Sequence, residues 1–359
     1  MFQLHYNDQI FQTKEDFEGM DLELPAFAKA AFSFCEAWLS DKTYFSQQTS
    51  GSTGTPKTIE ISREQMMESA KATGSFFKTN SNTKLLCCLN PEYIAGKMML
   101  VRAMVWDCPI WLVEPHSNPF LDLPEVFLPD FVALVPLQVE EILNNPKTSP
   151  ALKKVSNLII GGAPISEGLK SRLIANGIPA WQTYGMTETV SHVALARIEE
   201  GETTYQTLAG VEIGQDERGA VWTKSLMSGQ ERIQTNDLVE LKSSTSFIWL
   251  GRADFVINSG GLKLHSELLE KKSEALIAEF FPGCRYFFLG EKDEKLGERL
   301  VLLIEKTEPN EELAKLLQEK MRNVFGKFET PKKIYFIPSF VHTESGKINR
   351  DLTFKQLQI

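Results

Sequence analysis

The stretch Ser50-Gly51-Ser52-Thr53-Gly54-Thr55-Pro56-Lys57 gathers four hydroxyl side chains, two glycines and a lysine. Hydroxyls, converging backbone N–H groups and an ammonium suit a polyphosphate, and glycine allows backbone geometries that other residues resist. The spacing nearly fits the nucleotide-binding loop G-x-x-x-x-G-K-[ST], because Lys57-Thr58 is correctly placed. Pro56, however, stands where that loop needs its second glycine. Proline has no N–H and fixes its own φ, so it supplies neither the donor nor the shape. The stretch is therefore a phosphate cradle of another kind or a polar surface turn.

A second chemical signal is Arg102, set among Met98, Met99, Leu100 and Val101. An unpaired charge in so apolar a segment is costly, so Arg102 needs an anionic or hydrogen-bonding partner.

The elements that must position these residues follow from the patterning. Ser62-Arg63-Glu64-Gln65 reads as a capping box, opening a helix towards Phe77. Apolar runs at 84–89, 109–113, 131–135 and 157–162 predict strands. Helical patterns lie between them near 94–106, 137–144 and 166–176. Such alternation predicts a buried, largely parallel sheet in an α/β layered domain. After about residue 200 the segments shorten and turns multiply, which predicts antiparallel hairpins. The last third reads as strand, helix (266–279), strand (285–290), strand (299–305), helix (310–324) and strand (333–337), a compact α+β unit. The expected division is 1–251 and 252–359.

At 359 residues and 42% apolar composition the chain can bury a large core. A net charge of −9 argues against a generic nucleic-acid or anionic-membrane surface. The five cysteines include no C-x-x-C pair, so neither a disulfide framework nor a zinc site is expected. The N-terminus lacks the basic and apolar regions of a signal peptide, and no apolar run is long enough to span a bilayer. A cytoplasmic location is expected.

Four further stretches follow the opening loop: GGAPIS (161–166), YGMTETVSH (184–192), TND with GRADFVINSGGLK (235–237, 251–263) and ESGKINR (344–350). In this order they resemble the motifs of the adenylate-forming superfamily of acyl-CoA synthetases, adenylation domains and luciferases. The resemblance spans about 46 to 350. It implies a large N-terminal α/β domain, a mobile α+β C-terminal domain, and ATP, Mg²⁺ and coenzyme A as reactants or cofactor.

By that resemblance Ser50, Gly51, Ser52, Thr53, Gly54, Thr55 and Lys57 belong to the phosphate loop. Thr187 is placed for the α-phosphate, and Glu188 for Mg²⁺, a hard cation suited to carboxylate and phosphate oxygens. Gly162, Ala163 and Pro164 would line one face of adenine, with Tyr184, followed by Gly185, on the other. Asp237, helped by Arg252, would take the ribose hydroxyls. Lys347 would stand between two anions as carboxylate attacks phosphate. Asp254 falls at the hinge position, and Ser259, Gly260 and Gly261 would flank the pantetheine arm.

YGMTETVSH is most similar to the version in the o-succinylbenzoate–CoA ligase branch, which serves menaquinone biosynthesis. LNPEYIAGKMMLVRAM (89–104) resembles the acid-pocket segment there, with Gly96 and Arg102 at matching positions. Tyr93 stands where histidine is usual and Ala95 where serine is usual. The implied partner is an aromatic acid with a second carboxylate, for which arginine is a natural fork. Alternatives are a ligase for another aryl or acyl acid, a carrier-loading adenylation enzyme, and a non-catalytic relic. Beside the family pattern the N-terminal region is short, and the resemblance implies an effect on stability or homodimer formation.

Overall fold

The computed structural model describes residues 1–19, 24–48, 57–124, 127–342 and 348–358. Its centre is the parallel set Pro109–Leu112, Leu85–Cys87, Phe131–Leu134, Asn157–Ile160 and Ala180–Gly185, neighbours in that order. Successive side chains on a strand point to opposite faces. Leu85, Cys87, Phe131 and Ala133 accordingly join one core, while Leu86, Cys88, Val132 and Leu134 join the other. Helix Ile94–Trp106 packs on the first face, and helices Pro136–Asn144 and Glu167–Ala175 pack on the second. Both faces are covered, which is why these strands read as unbroken apolar runs.

The parallel pairing expected for these strands is present, and the antiparallel hairpins expected after residue 200 extend the same sheet. Among the described residues it has thirteen strands, and those beyond Ala180–Gly185 pair antiparallel. The turn-rich region after residue 200 continues this sheet, through Thr204–Thr207, Ser246–Arg252, Arg232–Ser243, Ala220–Lys224 and Glu212–Gln215. Apolar periodicity reports burial and is silent on strand direction.

The other edge is N-terminal. Gln3–Tyr6 pairs parallel with Pro109–Leu112 and antiparallel with Gln9–Phe11. Asn7 and Asp8 both have positive φ, the signature of a two-residue turn whose twist matches the strands. Neither strand carries an apolar run of the kind that predicts the central ones. The capping box is present: Gln65 N–H donates to Ser62 Oγ at 3.1 Å, and Ser62 N–H donates to Gln65 Oε1 at 2.9 Å. It starts helix Arg63–Phe77.

A separate five-stranded sheet carries the smaller unit, with Tyr286–Asp293, Gly297–Glu305 and Lys333–Ile337 at the predicted places. Helices Ser266–Phe280 and Glu311–Phe325 contribute to its core through Leu269, Ile277, Leu317 and Met321. The last strand of the large sheet in chain order ends at Arg252, and the small sheet begins at Val256. Among the described residues no helix is long and apolar enough to cross a membrane.

Candidate active site

Parallel α/β sheets bind ligands beyond the carboxyl ends of their strands. Ile160 and Gln182 are register partners there; Gly162 lies in the turn just past Ile160, and Tyr184 lies two residues beyond Gln182 on its strand. Gly162 adopts φ +81° and is exposed together with Ala163 and Pro164. The turn then enters helix Glu167–Ala175, where Ser166 Oγ accepts the N–H of Leu169 at 3.0 Å. From the smaller unit, Glu274 accepts the N–H groups of Glu167 and Gly168 at 2.8 and 3.1 Å. Its carboxylate thus satisfies orphan donors at a positive helix end. Lys271 adds an ion pair to Glu167 at 2.9 Å.

Tyr184, Asp237 and Arg252 come together although they lie far apart in the chain. Tyr184 donates its hydroxyl to Asp237 Oδ2 at 2.8 Å, and its ring packs edge-on to Phe247 and Tyr205. Burial, reinforced by the Asp237 charge, pushes the Tyr184 hydroxyl well above the ordinary tyrosine value. Asp237 and Arg252 are cross-strand partners, with Nη1 3.9 Å from Oδ1. Arg252 also holds Asp254 at 2.7 Å, and Asn236 donates to the same carboxylate at 3.2 Å. The expected hinge residue is therefore tied to the strand that carries Asp237.

Thr187 and Glu188 begin a single 3₁₀ turn, and Glu188 is exposed. No group of three potential metal ligands occurs among the described residues. Mg²⁺ is commonly held by one or two carboxylates plus substrate phosphates, so a lone exposed Glu188 fits that mode of binding. Gly185 is needed for packing: a Cβ there would run into the Ser191 carbonyl and the His192 Cα.

Arg102 is 2% exposed on helix Ile94–Trp106. Its Nη2 donates to Ser191 Oγ at 2.9 Å, Nη1 lies 3.4 Å from the Met99 sulfur, and the guanidinium faces the Phe131 ring at 6.0 Å. Nε has no partner, and no carboxylate pairs with Arg102 among the described residues. Burial lowers its pKa to about 10, which still leaves it charged at neutral pH. Tyr93, by contrast, is 65% exposed at the start of the same helix. Gly96 has a packing role, since a Cβ would strike the backbone oxygens of Leu89 and Asn90.

Ser259 pairs with Leu262 across a two-residue turn in which Gly260 and Gly261 have φ +59° and +85°. The hairpin alone calls for glycine at both positions. Lys57 is exposed just before strand Thr58–Ser62. Ser50, Gly51, Ser52, Thr53, Gly54, Thr55 and Lys347 lie outside the described residues. Ser191 and His192 lie within YGMTETVSH, and the resemblance implies no role for either. Thr73, which touches His192, carries no sequence signal.

Residues 10–217 match the AMP-binding enzyme family, and 287–347 match the AMP-binding enzyme C-terminal domain. The chain belongs to the AMP-binding enzyme family. It is accordingly an AMP-forming acid–thiol ligase. Within the family it is similar to the 2-succinylbenzoate–CoA ligase of Haemophilus influenzae, at 27% identity over 84% of this chain and 68% of that one. An acyl-CoA synthetase (AMP-forming)/AMP-acid ligase II-like protein from Dyadobacter fermentans is 38% identical. Its structure superposes with a TM-score of 0.64 over 96% of this chain and 99% of that one. The o-succinylbenzoate CoA synthetase of Bacillus subtilis, solved with its acyl-adenylate, shares the fold at 19% identity. Its TM-score is 0.72 over 85% of this chain and 68% of that one.

Proposed function

We propose that this enzyme joins coenzyme A to o-succinylbenzoate through an acyl-adenylate, releasing pyrophosphate and then AMP, as menaquinone biosynthesis requires. One observation carries the choice of acid. Arg102 is a buried cation with an unused Nε–H and no carboxylate partner among the described residues. A second carboxylate on the substrate would supply the missing charge. The name of the Haemophilus influenzae relative favours the same acid.

In this reading Gly162, Ala163, Pro164 and Tyr184 hold adenine, while Asp237 and Arg252 hold the ribose. Ser50 to Thr55 and Lys57 take the outer phosphates, and Thr187 takes the α-phosphate. Glu188 would hold Mg²⁺, which supplies charge neutralisation at the phosphates. Lys347 stabilises the anionic transition state as the acid's carboxylate attacks the α-phosphorus and pyrophosphate leaves. The unit from 252 to 359 then turns about Asp254, and the thiol of coenzyme A displaces AMP beside Gly260 and Gly261.

The test is CoA-dependent AMP formation over a panel of acids, with Arg102→Ala beside wild type. Removing one member of a buried charge pair costs about 2–5 kcal/mol. At about 1.4 kcal/mol per decade, kcat/KM for o-succinylbenzoate should fall at least about tenfold. An analogue without the distant carboxylate should be a poor substrate for wild type and lose far less in the variant. Equal losses on both acids would make Arg102 a structural tie.

A further inference from the structure

Arg102 ends a chain of buried polar groups that reaches a different helix. Ser191 Oγ, which accepts from Arg102, lies 3.5 Å from His192 Nδ1. His192 Nε2 lies 3.1 Å from Thr73 Oγ1, and Thr73 donates to the Ser69 carbonyl at 2.9 Å. Thr73 is fully buried on helix Arg63–Phe77 and His192 is 4% exposed.

Hydrogen counting gives this chain a direction. A threonine hydroxyl has one proton, and that of Thr73 is committed to Ser69. Thr73 Oγ1 therefore accepts, and His192 must carry its proton on Nε2. Nδ1 is then bare and takes the Ser191 proton, which leaves the Ser191 oxygen to accept from Arg102. The opposite tautomer would break the Thr73–Ser69 bond and leave the Ser191 proton without an acceptor. Burial, with the Arg102 charge beside it, holds the His192 pKa well below the ordinary histidine value, so a neutral ring is favoured.

The backbone at Ser191 is constrained as well. Val190, 1% exposed, sits at φ 65°, ψ −50°, and Ser191 N–H donates to Thr189 O at 2.7 Å. This is the strained γ-turn with positive φ at its centre, here at a β-branched residue. Such strain persists only where the surroundings over-determine it, and it clusters at functional sites. Here it aims Ser191 between Arg102 and His192.

We propose that Thr73 and His192 are positioning residues that orient Ser191 and, through it, the Arg102 guanidinium towards the second carboxylate of the acid. The inference rests on the reading of Arg102 given above. With Nη2 pinned by Ser191, the fork has one orientation, and its unpaired Nε–H is kept for the ligand.

The experiment uses the full chain with Thr73→Val, Thr73→Ser, Arg102→Ala and the Thr73→Val/Arg102→Ala double variant. AMP formation is measured on o-succinylbenzoate and on the analogue lacking its distant carboxylate. Thr73→Val removes the acceptor for His192, together with the donor to Ser69, without changing shape, and should lower kcat/KM for the diacid about fivefold, mainly through KM. The analogue should be nearly unaffected, Thr73→Ser should behave as wild type, and Thr73→Val should add nothing once Arg102 is gone. Nitrogen NMR of His192 should show Nε2 protonated and Nδ1 bare in wild type and Thr73→Ser, with that preference lost in Thr73→Val. If Arg102→Ala discriminates between the acids while Thr73→Val hurts neither, or both alike, the relay is wrong and the Arg102 reading stands. If Arg102→Ala fails to discriminate, both fall. An Nδ1-protonated His192 in wild type would overturn the relay without any variant.

Discussion

Arg350 places both guanidinium ends on Glu270, at 2.7 and 2.9 Å, while its planar group stacks over Phe255 at 4.4 Å. His342 and Ile348 form an isolated bridge, and Arg285 binds His342 Nε2 at 2.8 Å. The chain is therefore anchored on both sides of the segment that contains Lys347. Lys347→Ala should slow adenylate formation by about two to three decades, the scale for losing one such donor. Supplied acyl-adenylate should still be converted to thioester. Equal loss in both half-reactions, read by single-turnover pyrophosphate release and thioester yield, would mark Lys347 as structural. At this scale the family resemblance was informative: Tyr184, Asp237, Arg252 and Asp254, named through it, come together in the fold. Thr73 was invisible because its partner His192 lies 119 residues away.

The hairpin Val256–Ser259 and Leu262–His265 follows the turn Ala253–Phe255 and forms one edge of the smaller sheet. A Cβ on Gly261 would meet no atom within 4 Å, whereas one on Gly260 would approach Leu296 at 3.2 Å. Substitution at Gly261 therefore adds bulk to open space, together with the backbone strain of φ +85°. Gly261→Leu should lower thioester output and leave single-turnover pyrophosphate release near wild type. Gly261→Asn, which tolerates positive φ, separates strain from bulk and should retain more of the second half-reaction. Thioester output unchanged in Gly261→Leu would place the pantetheine path elsewhere. Secondary elements of this kind were readable because their signals are local. The capping box at Ser62 and Gln65 and the Gly260-Gly261 turn each specify themselves within a few residues.

Across the whole molecule, the buried polar layer beneath the sheet has a consequence for acid stability. His192 is held neutral by burial first and by Arg102 second, with its pKa well below 6.5. The unfolded chain binds a proton at this residue below 6.5 and the folded chain does not. Its contribution to stability is therefore complete above that value and is lost as pH falls towards the folded pKa. The loss should be about 1.4 kcal/mol per pH unit in that window. Urea midpoints at pH 7.5 and 5.5 should separate more for wild type than for His192→Gln, and equal separations would show that His192 titrates normally in the fold. The sequence alone determined the burial of the central strands, the alternation of strands and helices over 84–176 and 266–337, and the capping box at Ser62 and Gln65. Each depends on composition or on contacts a few residues long. Tertiary structure alone decided that the hairpins after residue 200 extend one thirteen-stranded sheet, and that Gln3–Tyr6 closes beside Pro109–Leu112. It alone also set Arg102 against Ser191, 89 residues away, with no carboxylate to pair it among the described residues. The physical reason is the same in each case: apolar period reports that a residue is buried, while the identity of its neighbour depends on how distant segments pack.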